Sequence, residues 1–149
     1  MSVLGITSAL VRRPLNTAIV RGSAAVFSCS SNVSSSVIQW YNSLCVTTAE
    51  HLSQCIDDII YTGSSLAYEV PPKFSVTEKN NATHVTRDLN IRGTQLTDAG
   101  VYLCAERQPG VFGVTDSSSA QLIVLGNCSH MAMCKVRKVG LVLITINRR

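Results

Sequence analysis

What this chain lacks narrows its function before anything it contains does. No apolar run approaches the roughly 20 residues that a transmembrane helix needs; the longest near the end, Val139–Ile146, has only eight. The opening stretch Met1–Arg21 makes a poor secretory leader. Its apolar run, Ile6–Val11, is short and is followed by Arg12 and Arg13 with no basic segment ahead of it. No serine stands in a Gly-x-Ser-x-Gly elbow, and no glycine-rich loop is shaped to cradle a phosphate. The three histidines, His51, His84 and His130, have no acid or nucleophile grouped around them. Asp57-Asp58 is the one adjacent pair of carboxylates, and neighbours on a strand point to opposite faces, which does not suit a shared acid–base role. Neither an enzyme nor a cofactor is expected.

Charge is also scarce where a polyanion would have to dock. The formal net charge is +4, but five basic residues and no acids lie after Gly126, which leaves eight bases against nine acids in residues 1–126. The basicity belongs to the end of the chain, with no docking surface of interleaved cations and aromatics, so no nucleic-acid partner is expected.

Cysteine, by contrast, is abundant. Six in 149 residues are many for a reducing compartment and favour an oxidising, extracellular setting. A cysteine-rich chain that shows neither leader nor span is expected to be a fragment or an imperfect gene model, attached to a membrane only through a segment absent here. Two cysteine–histidine groupings raise the question of metal: Cys45, His51 and Cys55, and Cys128, His130 and Cys134. Neither has the two-to-four-residue gap common between paired zinc ligands, so no metal site is expected.

Short runs of Val, Ile, Thr and Tyr recur between clusters of Ser, Asn, Gly and Pro, and no apolar period of 3.6 persists for three turns. The pattern is all-β. Ala25, Phe27 and Cys29 alternate with polar or small neighbours, as do Ile38 and Trp40, then Val85, Leu89 and Ile91, then Tyr102 and Cys104 against Val101 and Leu103. Such alternation buries one face of each strand. Breaks at 32–36, 63–65, 71–72, 78–82, 93–95 and 108–119 have the turn spacing of a sandwich. The last strong strand is Ala120–Leu125. Beyond it, residues 127–149 change composition and form a basic, Cys-containing tail with no clear strand partner.

Three features share one register. Trp40 follows Cys29 by eleven residues, and Asp98-Ala-Gly-Val-Tyr-Leu-Cys104 ends 75 residues after the first cysteine. This constellation resembles the signature of the immunoglobulin superfamily over about residues 10–126. The resemblance implies an antiparallel Greek-key sandwich of two sheets, of the variable type, as one domain. It implies that Cys29 and Cys104 join the sheets, a closure that restricts the unfolded chain by roughly 4 kcal/mol. It implies too that Trp40 packs on that disulfide, that Tyr102 forms a tyrosine corner, and that Lys73 pairs with Asp98 at the base. The interval between Trp40 and Lys73 leaves room for two additional strands, C′ and C″, with Ile59–Thr62 as the candidate for C′.

The chain also departs from that family. Phe112-Gly113-Val114-Thr115 lacks the second glycine of the Phe-Gly-x-Gly joining motif, and the spacing to Leu122 is long, which points away from rearranging antigen receptors towards a germline-encoded receptor. Cys45 and Cys55 flank an insertion, Val46–Gln54, and are expected to form a second disulfide that clamps it. Cys128 and Cys134 could pair locally, link two chains or stay free. Asn32-Val-Ser34, Asn81-Ala-Thr83 and Asn127-Cys-Ser129 are glycosylation sequons.

The resemblance implies a recognition or adhesion module, cell-surface or secreted, with an immune or cell-cell role. Its partner would be a protein or a glycan, bound through the F–G loop and the sheet of strands G, F, C and C′. Within that loop, Arg107, Gln108, Val111 and Phe112 are the candidate contacts, with Phe112 either an exposed anchor or folded back on its own loop. The alternatives are a structural spacer, a homodimer formed through the same sheet, and a soluble immune effector that uses the basic tail.

Overall fold

The structure is a computed structural model, and it describes residues 9–47 and 53–126. Nine strands follow one another among them: β1 (Leu10–Arg12), β2 (Thr17–Val20), β3 (Ala25–Ser31), β4 (Val37–Thr47), β5 (Ser53–Tyr61), β6 (Phe74–Asn80), β7 (Val85–Ile91), β8 (Gly100–Arg107) and β9 (Asp116–Leu125). A 3-10 turn, Leu96–Asp98, precedes β8. The strands form two sheets, β1-β3-β7-β6 and β2-β9-β8-β4-β5. The fold is thus all-β, with two sheets packed face to face.

Period-two patterning decides which side chains enter the space between the sheets. From β3 come Ala25, Phe27 and Cys29, from β7 Val85, Leu89 and Ile91, from β4 Ile38 and Trp40, and from β8 Tyr102 and Cys104, all buried. Cys29 and Cys104 are joined by a disulfide with their Cα atoms 6.5 Å apart. Phe27 lies at the centre, 5.3 Å from the Tyr102 ring in a stacked arrangement and 6.5 Å from Trp40 in a tilted one. The indole N–H of Trp40 donates to the carbonyl of Arg87 at 3.1 Å, so the one buried polar atom of that ring is satisfied.

Three expectations are corrected. First, the sheets are not wholly antiparallel, because β2 runs parallel to β9, with Thr17 opposite Leu122 and Val20 opposite Leu125. The buried Pro14, with no N–H to donate, ends β1 on one sheet, and the chain crosses to the other and pairs in the direction in which it arrives. Second, β5 is present but longer than Ile59–Thr62, and β4 and β5 extend as a paired ribbon into the expected insertion, with Thr47 opposite Ser53. Third, no C″ strand follows among the described residues; a single bridge, Tyr61 to Leu66, is all that forms. Residues 62–73 hold Gly63, Ser64, Ser65, Pro71 and Pro72, which favour turns and remove ladder donors. The Thr62 hydroxyl takes up backbone N–H groups there instead, at 3.3 Å from Ser65 and 3.5 Å from Ser64.

Candidate functional site

One end of the sandwich carries the loop between β8 and β9, residues 108–115, beside the loop between β3 and β4, residues 32–36. Phe112 is at the tip of the first, 106% exposed, and does not fold back. Gly110 and Gly113 flank it with φ of 76° and 86°, a region in which a side chain would be strained, so the tip is turned outward by residues that tolerate it. Val111 and Val114 are also exposed. The base of the loop is fixed: the Thr115 N–H donates to the Glu106 carbonyl at 2.8 Å, and the Val111 N–H to the Gln108 carbonyl at 3.3 Å.

Glu106 itself is fully buried. Its carboxylate accepts from Ser31 Oγ and, at 2.8 Å, from Ser36 Oγ, both through Oε1. Its other oxygen, Oε2, accepts from Thr115 Oγ1 at 3.3 Å and Gln108 Nε2 at 3.5 Å. No described basic side chain forms an ion pair with it.

The outer face of the five-stranded sheet continues from this loop. Arg107 Nε and the Tyr41 hydroxyl both donate to Gln39 Oε1, at 2.8 and 3.0 Å, and Gln39 Nε2 donates to the Thr62 carbonyl at 2.9 Å. Arg107 is therefore held on the sheet face by Gln39. Tyr41, Asp57, Leu103, Ala105, Val114 and Ser117 line a shallow depression of about 340 Å³ on this face.

The opposite end is closed by polar ties. Lys73 and Asp98 form an ion pair, and Lys73 Nζ also lies 5.8 Å from the centre of the Phe74 ring. The second oxygen of Asp98 accepts the Gln95 N–H at 2.7 Å. Burial, reinforced by the charge of Asp98, pushes the Tyr102 phenol far above its usual range. A cavity of about 650 Å³ opens here, lined in part by Asn42, Asp58, Glu69 and Tyr68, and the buried Asn42 Oδ1 has no hydrogen-bond partner among the described residues. Asp58 faces this cavity while Asp57 lines the depression on the outer face, so the two adjacent carboxylates lie apart. On the flank, Tyr61 donates to Glu78, and burial followed by that contact raises its phenol.

Asn32 is exposed in the 32–36 loop. Asn81 is exposed in the β6–β7 turn, where its Oδ1 accepts from the Thr83 and His84 N–H groups at 2.9 and 2.7 Å. The backbone register sets Cys45 opposite Cys55. His51, Asn127, Cys128, His130 and Cys134 lie outside the described residues. Among the described residues no group of three or more His, Cys, Asp or Glu side chains is placed to hold a metal ion, and no helix is long and apolar enough to cross a membrane.

The sequence reading passed over Glu106, Gln39 and Tyr41. For Glu106 the signal was present, since it continues the inward series Tyr102 and Cys104 at a spacing of two. Gln39 and Tyr41 carry no such mark, because outward residues of a strand look alike until the neighbouring strands are placed. Neither models of known protein families nor curated proteins match this chain.

Proposed function

We propose that this chain is a variable-type immunoglobulin-like domain that acts outside the cell as a recognition module, binding a protein or glycan through residues 108–115 and the outer face of β9, β8, β4 and β5. One observation carries the reading: Phe112 stands fully exposed on a loop whose base is pinned to a buried residue. A large aromatic ring left in water on a held backbone is the kind of group that anchors an interface, since little ordering remains to be done on binding. The apolar depression beside it and the held Arg107 supply a contiguous surface of mixed character. The inter-sheet disulfide suits an oxidising, extracellular environment. A receptor or adhesion role follows from the family resemblance, and the altered Phe112-Gly113 stretch with the Cys45–Cys55 insertion favours a germline-encoded form.

The test is a screen of the glycosylated domain against an array of cell-surface ectodomains and glycans, run in parallel with Phe112→Ala and Tyr41→Ala. Partners that bind through this surface are expected to lose tenfold or more in affinity with Phe112→Ala, about 1.4 kcal/mol or above. Equal binding by both variants and the parent would place recognition elsewhere. Sedimentation of the parent over a range of concentrations reads self-association through the same sheet.

A further inference from the structure

We infer that Glu106 is a positioning residue for recognition: its buried carboxylate locks the 32–36 loop to the 108–115 loop, so that restraint at one is felt at the other. The division of its bonds carries this. Oε1 serves the β3–β4 side, through Ser31 and Ser36, and Oε2 serves the β8–β9 side, through Thr115 and Gln108. The tie reaches the backbone of both loops, because Ser31 Oγ also accepts the Val33 N–H at 3.1 Å and the Thr115 N–H donates to the Glu106 carbonyl at 2.8 Å, with the single Thr115 hydroxyl proton shared between that carbonyl and Oε2.

The chemistry makes the two halves interdependent. A carboxylate away from water needs donors on both oxygens, and here hydroxyl and amide groups supply them in place of a cation. Displacing 108–115 strips Oε2 of its donors, and displacing 32–36 takes Ser36 from Oε1 and leaves it only Ser31 of β3, while the group stays buried. An apolar side chain of similar length would fill the space with no such requirement, and replacing buried ionic groups by well-packed apolar ones is often neutral for stability. What the glutamate adds is therefore a fixed relation between the loops. Its importance for binding rests on the recognition proposed above for Phe112, but the coupling itself does not.

Amide hydrogen exchange on the free domain tests the coupling without any partner. Ser36→Ala is expected to speed exchange about tenfold in 108–115 as well as in its own loop, and Thr115→Ala to do the reverse, while amides of Trp40 and Cys104 stay protected. The two effects should be strongly non-additive in the double variant. In Glu106→Gln, one acceptor oxygen becomes a donor amide and the reciprocity should vanish. Loosening confined to the substituted loop would overturn the inference, and so would acceleration spread evenly through the core. If Glu106→Gln does not fold, the reciprocity of the Ser36 and Thr115 variants decides alone. A failed ectodomain screen with reciprocal exchange would remove the recognition reading and leave the coupling in place.

Discussion

The hydroxyl of Tyr102 donates to the backbone carbonyl of Asp98 at 2.8 Å, four residues upstream, and ties the Leu96–Asp98 turn to the strand that leaves it. The same Asp98 accepts Lys73 and the Gln95 N–H through its side chain. One residue thus gathers the β7–β8 connection, the start of β6 and the core tyrosine, and ties this end of the sandwich together.

Tyr102 makes stability sensitive to alkali. Its phenol is held protonated by burial and by Asp98, so its folded pKa lies above the ordinary 10.0 of the unfolded chain. The stability linked to it is fully present below about pH 10 and is lost as pH rises beyond, because the unfolded chain then releases a proton that the folded one keeps. Tyr102→Phe leaves the Asp98 carbonyl without its partner and should cost about 1–2 kcal/mol at neutral pH. It should also flatten the alkaline fall in denaturant midpoint. An equally steep fall in the variant would assign it to Tyr61 instead, whose phenol is likewise raised.

The Lys73–Asp98 pair is unequal in exposure, with side chains 28% and 7% accessible. Removing the buried partner should therefore cost more. Asp98→Ala strands the Gln95 N–H and the Lys73 ammonium together and is expected to lower stability by about 3 kcal/mol, whereas Lys73→Met leaves the Asp98 carboxylate its bond from the Gln95 N–H and should cost about 1 kcal/mol. Urea midpoints of the two variants check the order, and a reversed order would mean that the ammonium carries the base.

Much of this architecture was legible in the sequence because its determinants are local or rigidly spaced. Alternation along Ala25–Cys29 and Leu89–Ile91 reports burial directly, and the family resemblance carried by Cys29, Trp40 and Cys104 implies which strands face each other. The parallel entry of β2 was not legible, since direction depends on where the chain stands when it crosses between sheets after Pro14. The interval between Trp40 and Lys73 suggests a C″ strand, and none forms among the described residues. Length permits a strand, but Gly63 and the Pro71-Pro72 pair decide against one. At the end that carries residues 108–115, Phe112 could be named but its exposure could not, because that depends on the φ of Gly110 and Gly113 and on the hold that Glu106 keeps on Thr115.

Gly63 offers a sharp test of the turn that follows β5. It has φ of +104°, and a Cβ there would overlap the side chain of Val37. Gly63→Ala is expected to destabilise the domain by about 2 kcal/mol from backbone strain and crowding together. A second change, Val37→Ala, gives the crowding relief but leaves the strain. If the pair of changes restores full stability, the backbone is relaxed at this position and only the contact matters.

Cys45 and Cys55 stand opposite each other in the backbone register of the β4–β5 ribbon. Directly opposed residues of an antiparallel pair have Cα atoms about 4.5–5.5 Å apart, within the range of about 4.4–6.8 Å that a disulfide spans. A second disulfide is therefore expected between them, closing a short loop and adding about 3 kcal/mol through loss of unfolded-state freedom. The ribbon is where it would be needed, because in the described structure Thr47 and Ser53 pair beyond the reach of β8, whose last contact with β4 is Val101 opposite Ser43. Proteolysis without reductant, followed by mass spectrometry, should recover a cross-linked peptide holding both cysteines. Replacing both with serine should speed amide exchange in the ribbon and leave the core around Trp40 unchanged. Recovery of Cys45 and Cys55 as free thiols from protein folded in an oxidising compartment would reject the pairing and return the hairpin to backbone hydrogen bonds alone.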